Sequence, residues 1–294
     1  MNPPPGSRTA FVLAGGGSLG AVQVGMLKAL AHHRISPDFV VGASVGALNG
    51  ACYAAEPCEA GIARLERTWL RLRRRDIFPL TMRGMALCLL GRRDHLALPH
   101  RLGALIEAEL PCRRLEDTRL PCHVVATDVL DGTEVVLSSG ESAAALLAST
   151  ALPAVFPPVA IDGRALMDGG IASNTPIAAA VSLGATRVFV LPTGSPCAMH
   201  APPRGAFAMA LHALNLLAMR QLLADIDRFA GRCDLVVVPP LCPLAIHAYD
   251  FSRTRTLIAR AEAATRAWLV EGIRHEDPRW ALLPHRHHPV PAAG

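Results

Sequence analysis

An α/β fold built on parallel β-strands is the fold class this sequence predicts, and three observations carry the prediction. Two apolar runs, Thr9-Ala10-Phe11-Val12-Leu13-Ala14 and Phe39-Val40-Val41, each break into a glycine-rich turn and then into an Ala/Leu-rich helical pattern. Strand, turn and helix repeated in succession make a βαβ unit, because parallel strands need a long crossover and a helix usually supplies it. With 294 residues, 51% hydrophobic and only 18% charged, the chain is long and apolar enough to bury a large core.

The elements follow in order. Met1-Asn2-Pro3-Pro4-Pro5-Gly6 is a proline-rich leader without the apolar centre of a signal peptide. The first strand runs into Gly15-Gly16-Gly17-Ser18-Leu19-Gly20, and a helix is expected over Ala21–His33. Ser36-Pro37-Asp38 turns the chain into the second strand. Residues 61–78 place Ile62, Leu65, Trp69 and Leu72 at helical spacing among Arg64, Arg67, Arg71, Arg73, Arg74 and Arg75. That pattern fits a solvated helix face or a contact with an anionic lipid surface. Thr81–Leu98 contains Met85-Ala86-Leu87-Cys88-Leu89-Leu90, readable as a lid, an interfacial segment or a buried helix, and Leu102–Leu110 is amphipathic.

Strands are expected at Cys122–Asp128 and Glu134–Leu137, turning at Asp131-Gly132. A helix over Ser142–Thr150 stops before Pro153, and a second hairpin over Val159–Asp168 turns at Asp162-Gly163. Pro176 stands near the start of a helix behind the capping candidates Asn174 and Thr175. Strands at Val188–Leu191 and Leu235–Val238, helices at Ala206–Ala230 and Thr254–Glu271, and a loose histidine-bearing tail at Pro284–Pro289 complete the chain. No repeat or linker divides it, so a single domain is expected over residues 8–275, with flexible tails at 1–7 and 284–294.

Aromatic residues are only 4% of the chain, which argues against a base-stacking nucleic-acid surface. The formal charge of +5, supplied almost wholly by arginine, favours an anionic surface or substrate. The 8 cysteines form no Cys-x-x-Cys pair and no zinc-type grouping, so they read as reduced thiols with no metal site. No apolar run approaches bilayer-spanning length, and a cytoplasmic location follows as the expectation, with peripheral membrane contact left open.

The most informative stretch is Gly42-Ala43-Ser44-Val45-Gly46 between the second strand and its helix. In a Gly-x-Ser-x-Gly turn of this kind the serine occupies a strained backbone position, and Gly42 and Gly46 remove the bulk that would clash. Ser44 is therefore a candidate nucleophile, with an ordinary glycine-rich turn as the alternative. Gly15 to Gly20 admits two readings. Its spacing satisfies Gly-x-Gly-x-x-Gly, but a dinucleotide site also wants an acid at the end of the second strand, and Asp38 precedes that strand. The other reading is an oxyanion hole, in which backbone N–H groups at a helix start hold a developing negative charge.

An activated serine needs a base. His200, His212, His247 and His275 are the candidates among the late histidines, and none stands out. Asp168 ends a strand directly before Gly169-Gly170, where a substrate or another backbone can approach closely. The blocks Gly15–Gly20, Gly42–Gly46 and Asp168-Gly169-Gly170 occur in the order found in patatin-like phospholipases. Ala47-Leu48-Asn49, Thr127-Asp128 and Ser149–Pro158 agree, so residues 9–195 resemble that family.

The resemblance implies a three-layer α/β/α fold with a mostly parallel central sheet and a Ser–Asp dyad without histidine. Ser44 would attack an ester carbonyl of a phospholipid or lysophospholipid, Asp168 would take its proton, and Gly15, Gly16 and Gly17 would hold the oxyanion, with no cofactor. Free aspartate, with a pKa of about 3.9, is a poor base at neutral pH, so the mechanism requires burial of Asp168. The chain departs from the family at Leu19, where lysine or arginine is usual. Two other classes stand beside the hydrolase: a nucleotide-binding oxidoreductase using Gly15–Gly20, and a weakly catalytic lipid-binding module.

Overall fold

The apolar runs assemble into one sheet in a computed structural model that describes residues 6–77, 95–194, 197, 202–203, 205–244, 246, 249–273, 279 and 282. Its strands are β1 (Thr9–Leu13), β2 (Phe39–Ala43), β3 (Cys122–Asp128), β4 (Glu134–Leu137), β5 (Val159–Ile161), β6 (Arg164–Asp168), β7 (Arg187–Leu191) and β8 (Asp234–Val237). The order is β5-β6-β3-β2-β1-β7-β8, with β4 also paired to β3. The centre from β3 to β8 is parallel, and β4, β5 and β6 are antiparallel additions.

Ten helices among the described residues surround the sheet: α1 (Ala21–His32), α2 (Val45–Ala55), α3 (Glu59–Arg71), α4 (Arg74–Ile77), α5 (His100–Glu109), α6 (Ser142–Ser149), α7 (Gly170–Ser173), α8 (Ile177–Ser182), α9 (Ala206–Phe229) and α10 (Thr254–Glu271). Side chains alternate along each strand, so every parallel strand feeds two cores. Phe11, Leu13, Val40, Val124 and Phe189 pack against α1, α2, α3 and α10. Ala10, Val12, Val41, Val188 and Val190 pack on the other face against α8 and α9. Helices cover both faces, giving the three-layer arrangement that buried parallel sheets require.

The register on β3 decides where the chain's functional groups meet. Val124 and Val125 pair with β2 on one edge and with β4 on the other. Ala126 and Thr127 pair with β4 and with β6. Since β4 is continuous along one edge, β2 and β6 must share the opposite edge, meeting end to end. Ala43 lies opposite Val125 and Asp168 opposite Ala126, so the residue after β2 faces the last residue of β6.

Two local expectations are corrected. The helix before Leu183 begins at Ile177 with Pro176 as its flanking residue, and no side chain caps it. Asn174 instead points its amide at the Gly15 carbonyl, 3.5 Å away, and Thr175 offers only its backbone carbonyl, to Ile177 N–H at 2.7 Å. The single helix expected over residues 61–78 is divided, because Leu72 has extended backbone between α3 and α4. The apolar run at Met85–Leu90, the histidine-bearing tail, His200, His247 and His275 lie outside the described residues.

Candidate active site

Ser44 sits between β2 and α2 with φ 53° and ψ −127°, a conformation that costs a non-glycine residue about 1–3 kcal/mol. The strain is tolerated because the surroundings leave no other path. A Cβ on Gly42 would lie 2.5 Å from the Gly46 carbonyl oxygen, and a Cβ on Gly46 would strike the Leu13 carbonyl oxygen. Ser44 N–H donates to Ser149 Oγ at 2.9 Å, and Ser149 Oγ–H donates to the Val125 carbonyl at 2.6 Å. Ser149 thus ties the end of α6 to both the turn and β3. A serine closing an otherwise apolar helix was the sequence signal for it.

The Ser44 hydroxyl donates to Asp168 Oδ2 at 2.7 Å. The other carboxylate oxygen accepts the Gly170 N–H at 2.8 Å, which holds the group in orientation. Asp168 is 5% exposed, and burial pushes its carboxyl up to about 6 against the opposing pull of the Ser44 hydroxyl and the Gly170 N–H. A Cβ on Gly169 would collide with the Val125 carbonyl, so glycine there is what allows β6 to end flush against β3. Among the described residues no histidine bonds Ser44; the one described candidate, His212, lies on α9 and lines neither cavity at the dyad.

The glycine loop lies directly beside this pair. A Cβ on Gly15 would be 3.2 Å from Ser44 Cβ. Gly15 N–H donates to the Asn174 carbonyl at 2.9 Å, and its own carbonyl accepts the Thr193 hydroxyl at 2.7 Å. Gly15 is therefore pinned at both polar groups, and its N–H is committed. Gly16 (φ 155°) and Gly17 (φ 58°) follow, with Gly17 opening a short 3₁₀ turn into α1.

A buried polar chain supports the loop from below. Trp69 Nε1–H donates to Asn49 Oδ1 at 2.8 Å, and Asn49 Nδ2 donates to the Gly20 carbonyl at 3.0 Å and to Gln23 Oε1 at 2.8 Å. Gln23 Nε2 in turn grips the Ala14 and Leu191 carbonyls at 2.8 and 2.9 Å, joining the ends of β1 and β7. Leu19 is 1% exposed, and its apolar body fills the core at this turn. Asp38 is at the far end of the strands, where its carboxylate accepts Thr9 N–H at 2.6 Å. The acid that a dinucleotide ribose needs is thus at the wrong edge. Asp128 accepts Leu130 N–H and pairs with Arg164 at 2.9 Å, closing a turn.

Two cavities meet at the dyad. One is lined by apolar side chains including Leu48, Leu65, Leu105, Ile106 and Phe156, and Thr68 and Glu109 add polar atoms. Burial pushes the Cys52 thiol on its wall up to about 12, so it is an inert lining group. The other is more polar, bounded by Gly15, Gly16, Asn174, Asn215 and Gln221 together with leucines of α9. Ser44, Asp168, Gly17, Leu152 and Tyr249 border both. Burial, and then the charge of Asp168, hold the half-buried Tyr249 phenol above its ordinary range. Tyr249 and Gln221 come from the last third of the chain, whose sequence carries no motif to announce them, and Thr193 lies just past β7.

Comparison with known proteins places the chain in a family. The family model described as Patatin-like phospholipase matches residues 11–181. Over 195 residues the chain is 31% identical to rat patatin-like phospholipase domain-containing protein 7, a match covering 65% of this chain and 14% of the relative. Human patatin-like phospholipase domain-containing protein 6 is 31% identical over 192 residues, with 65% of this chain and 14% of that protein covered. The chain thus spans a small fraction of the length of the curated relatives it matches. Among solved structures, human GIVD cytosolic phospholipase A2 in complex with methyl gamma-linolenyl fluorophosphonate inhibitor and terbium chloride superposes with a TM-score of 0.50 at 12% identity, covering 94% of this chain and 59% of that one. That likeness concerns the fold alone, a mixed α/β architecture on a mostly parallel sheet. With its family model matched across more than half its length, the chain belongs to the patatin-like phospholipase family.

Proposed function

We propose that the protein is a serine hydrolase of lipid acyl esters, with Ser44 as nucleophile and Asp168 as its base. The observation that carries this is the 2.7 Å hydrogen bond from a strained serine to a buried carboxylate, placed where an apolar and a polar cavity meet. In the first step Ser44 Oγ bonds to the ester carbonyl carbon while its proton passes to Asp168 Oδ2. The carbonyl oxygen becomes an oxyanion, and the N–H groups of Gly16 and Gly17 are its donors, with the positive end of α2 adding to the field. Gly15 positions the loop through its bonds to Asn174 and Thr193.

Collapse breaks the ester C–O bond, and the departing alkoxide takes the proton from Asp168. Water then adds to the acyl-serine, giving its proton to Asp168, and a second collapse returns that proton to Ser44 and frees the acid. The acyl chain occupies the apolar cavity, and the alcohol side of the phospholipid or lysophospholipid leaves through the polar one. Proton transfer and charge stabilisation are both assigned to protein groups, so the reaction calls for no cofactor. A cytoplasmic enzyme drawing lipid from a membrane surface fits this reading.

The test is labelling by a fluorophosphonate probe, followed by mapping of the modified residue. Wild type should carry the label on Ser44, while Ser44→Ala should carry none and Asp168→Asn should label at least about 10²-fold more slowly. Label on another residue, or equal labelling of the Asp168→Asn protein, would show that this dyad is not the catalytic unit.

A further inference from the structure

A helix of 24 residues rises about 36 Å, whereas β1 and β7, of 5 residues each, span about 17 Å. α9 is therefore too long for the sheet it covers. Its C-terminal half lies on the sheet, where Leu222, Ile226 and Phe229 are buried. It enters after β7 has ended and leads back to the start of β8, which runs parallel to β7. The excess length must project past the strand ends that carry Ser44 and the glycine loop.

The projecting half has an unusual composition. From Ala206 to Met219 it contains no Lys, Arg, Asp or Glu. Met209, Leu216 and Leu217 are 45%, 50% and 61% exposed, and their spacing puts them on one face. The same face turns charged at exposed Arg220. Leu214 and Leu217 also border the polar cavity over the dyad, so the exposed apolar face continues into the route to Ser44.

A basic group stands at the same edge. α2 starts at Ser44 and runs away from it, and α3 returns, as Trp69 in its last turn shows by bonding Asn49, itself bonded to the Gly20 carbonyl. Arg71, the last residue of α3, pairs with Glu109 at 2.7 Å and Arg75 lies 4.0 Å from Asp76, while exposed Arg73 and Arg74 form no ion pair among the described residues. Among the described residues no helix is long and apolar enough to cross a membrane.

We propose that this edge docks onto an anionic phospholipid bilayer. The apolar half of α9 sinks among the acyl chains, Arg220 marks the depth by reaching the headgroups, and the arginines after α3 contact lipid phosphates. A bilayer answers both features at once: the apolar face borders the cavity that leads to Ser44 and Asp168, and the neighbouring exposed cations complement anionic headgroups. The identity of what enters the cleft rests on the hydrolase reading above, but the docking itself does not.

The experiment is flotation of the full chain with vesicles of phosphatidylcholine alone and of phosphatidylcholine mixed with phosphatidylglycerol. Wild type should bind the mixed vesicles more tightly. Met209→Asp combined with Leu216→Asp should lower binding to both by at least about tenfold, the effect of withdrawing two large apolar side chains from lipid. Arg73→Glu combined with Arg74→Glu should abolish the preference for the anionic mixture. These residues line neither cavity, so both variants should hydrolyse a short water-soluble ester like wild type, which also reports that they fold. Unchanged vesicle binding in the Met209/Leu216 variant would overturn the proposal. So would a wild-type dimer in lipid-free sedimentation that this variant dissolves, since the face would then serve a second copy. Vesicle binding by a wild type that a fluorophosphonate does not label would retain the docking surface and remove the hydrolase; labelling without vesicle binding would do the reverse.

Discussion

Ser44 and Asp168 are 124 positions apart in the chain and 2.7 Å apart in space, because the strands that deliver them meet end to end on one edge of β3. Neither residue reaches the other through a flexible loop. Val125 and Ala126, adjacent and both fully buried on β3, set the separation, and Ser149 ties the turn to the same Val125 through its carbonyl. Placing both groups on rigid elements is what keeps this hydrogen bond short without a ligand.

The buried carboxylate sets the pH dependence. In the proposed mechanism Asp168 serves as a base only when ionised, and burial raises its pKa to about 6. Turnover of a soluble ester should therefore be flat near pH 8 and fall about tenfold per unit below pH 6, since the ionised fraction falls by that factor. A kcat/KM profile measured from pH 4 to 9 checks this, and an acid limb centred near pH 4 would mean that Asp168 is solvated in the working enzyme.

The same burial costs stability. The folded protein binds the Asp168 proton more tightly than the unfolded chain does, so this group lowers stability as pH rises from about 4 through about 6, and its full cost persists above that. Asp168→Asn keeps a side chain of the same shape and removes the charge. At pH 8 it should unfold at higher urea than wild type, by up to about 3 kcal/mol for a shift of this size, and the gap should close towards pH 4. An Asn variant less stable than wild type at pH 8 would contradict the assignment.

Backbone strain at Ser44 predicts a difference between two variants that lack the hydroxyl. Ser44→Ala keeps a Cβ at φ 53°, whereas Ser44→Gly removes it. The glycine variant should be the more stable by about 1 kcal/mol in denaturant melts, even though glycine elsewhere loses stability through chain entropy. Equal midpoints would show that the turn is relaxed in solution.

Leu19 provides a test of how the glycine loop is held. It is 1% exposed, in the core beneath the loop. Replacing it by the lysine usual in the family should leave an uncompensated buried charge and lower stability by about 3–5 kcal/mol, rather than raise turnover. A Leu19→Lys protein that melts like wild type would mean the side chain reaches water.

Much of this protein was legible from sequence because the signals are local. Strand-to-glycine-turn-to-helix alternation announces a parallel sheet, and Gly42, Gly46 and Gly169 mark places where only a missing Cβ permits the backbone contacts seen. The loss of Asn174 and Thr175 as helix caps has a tertiary cause: the Asn174 amide is turned towards the Gly15 carbonyl by the packing of the loop against α7.

What the sequence by itself determined is the set of elements, the three glycine-rich blocks and the residue types able to do acyl transfer. What only the tertiary structure decided is which of them meet. The register of β2 and β6 along β3, the commitment of Gly15 N–H to Asn174, and the arrival of Thr193, Gln221 and Tyr249 at the site are contacts between residues far apart in sequence. The raised pKa of Asp168 belongs with them, since it arises from burial by side chains that no short stretch contains. Local sequence sets the preferences of a backbone a few residues at a time; burial and register are properties of the whole packed chain.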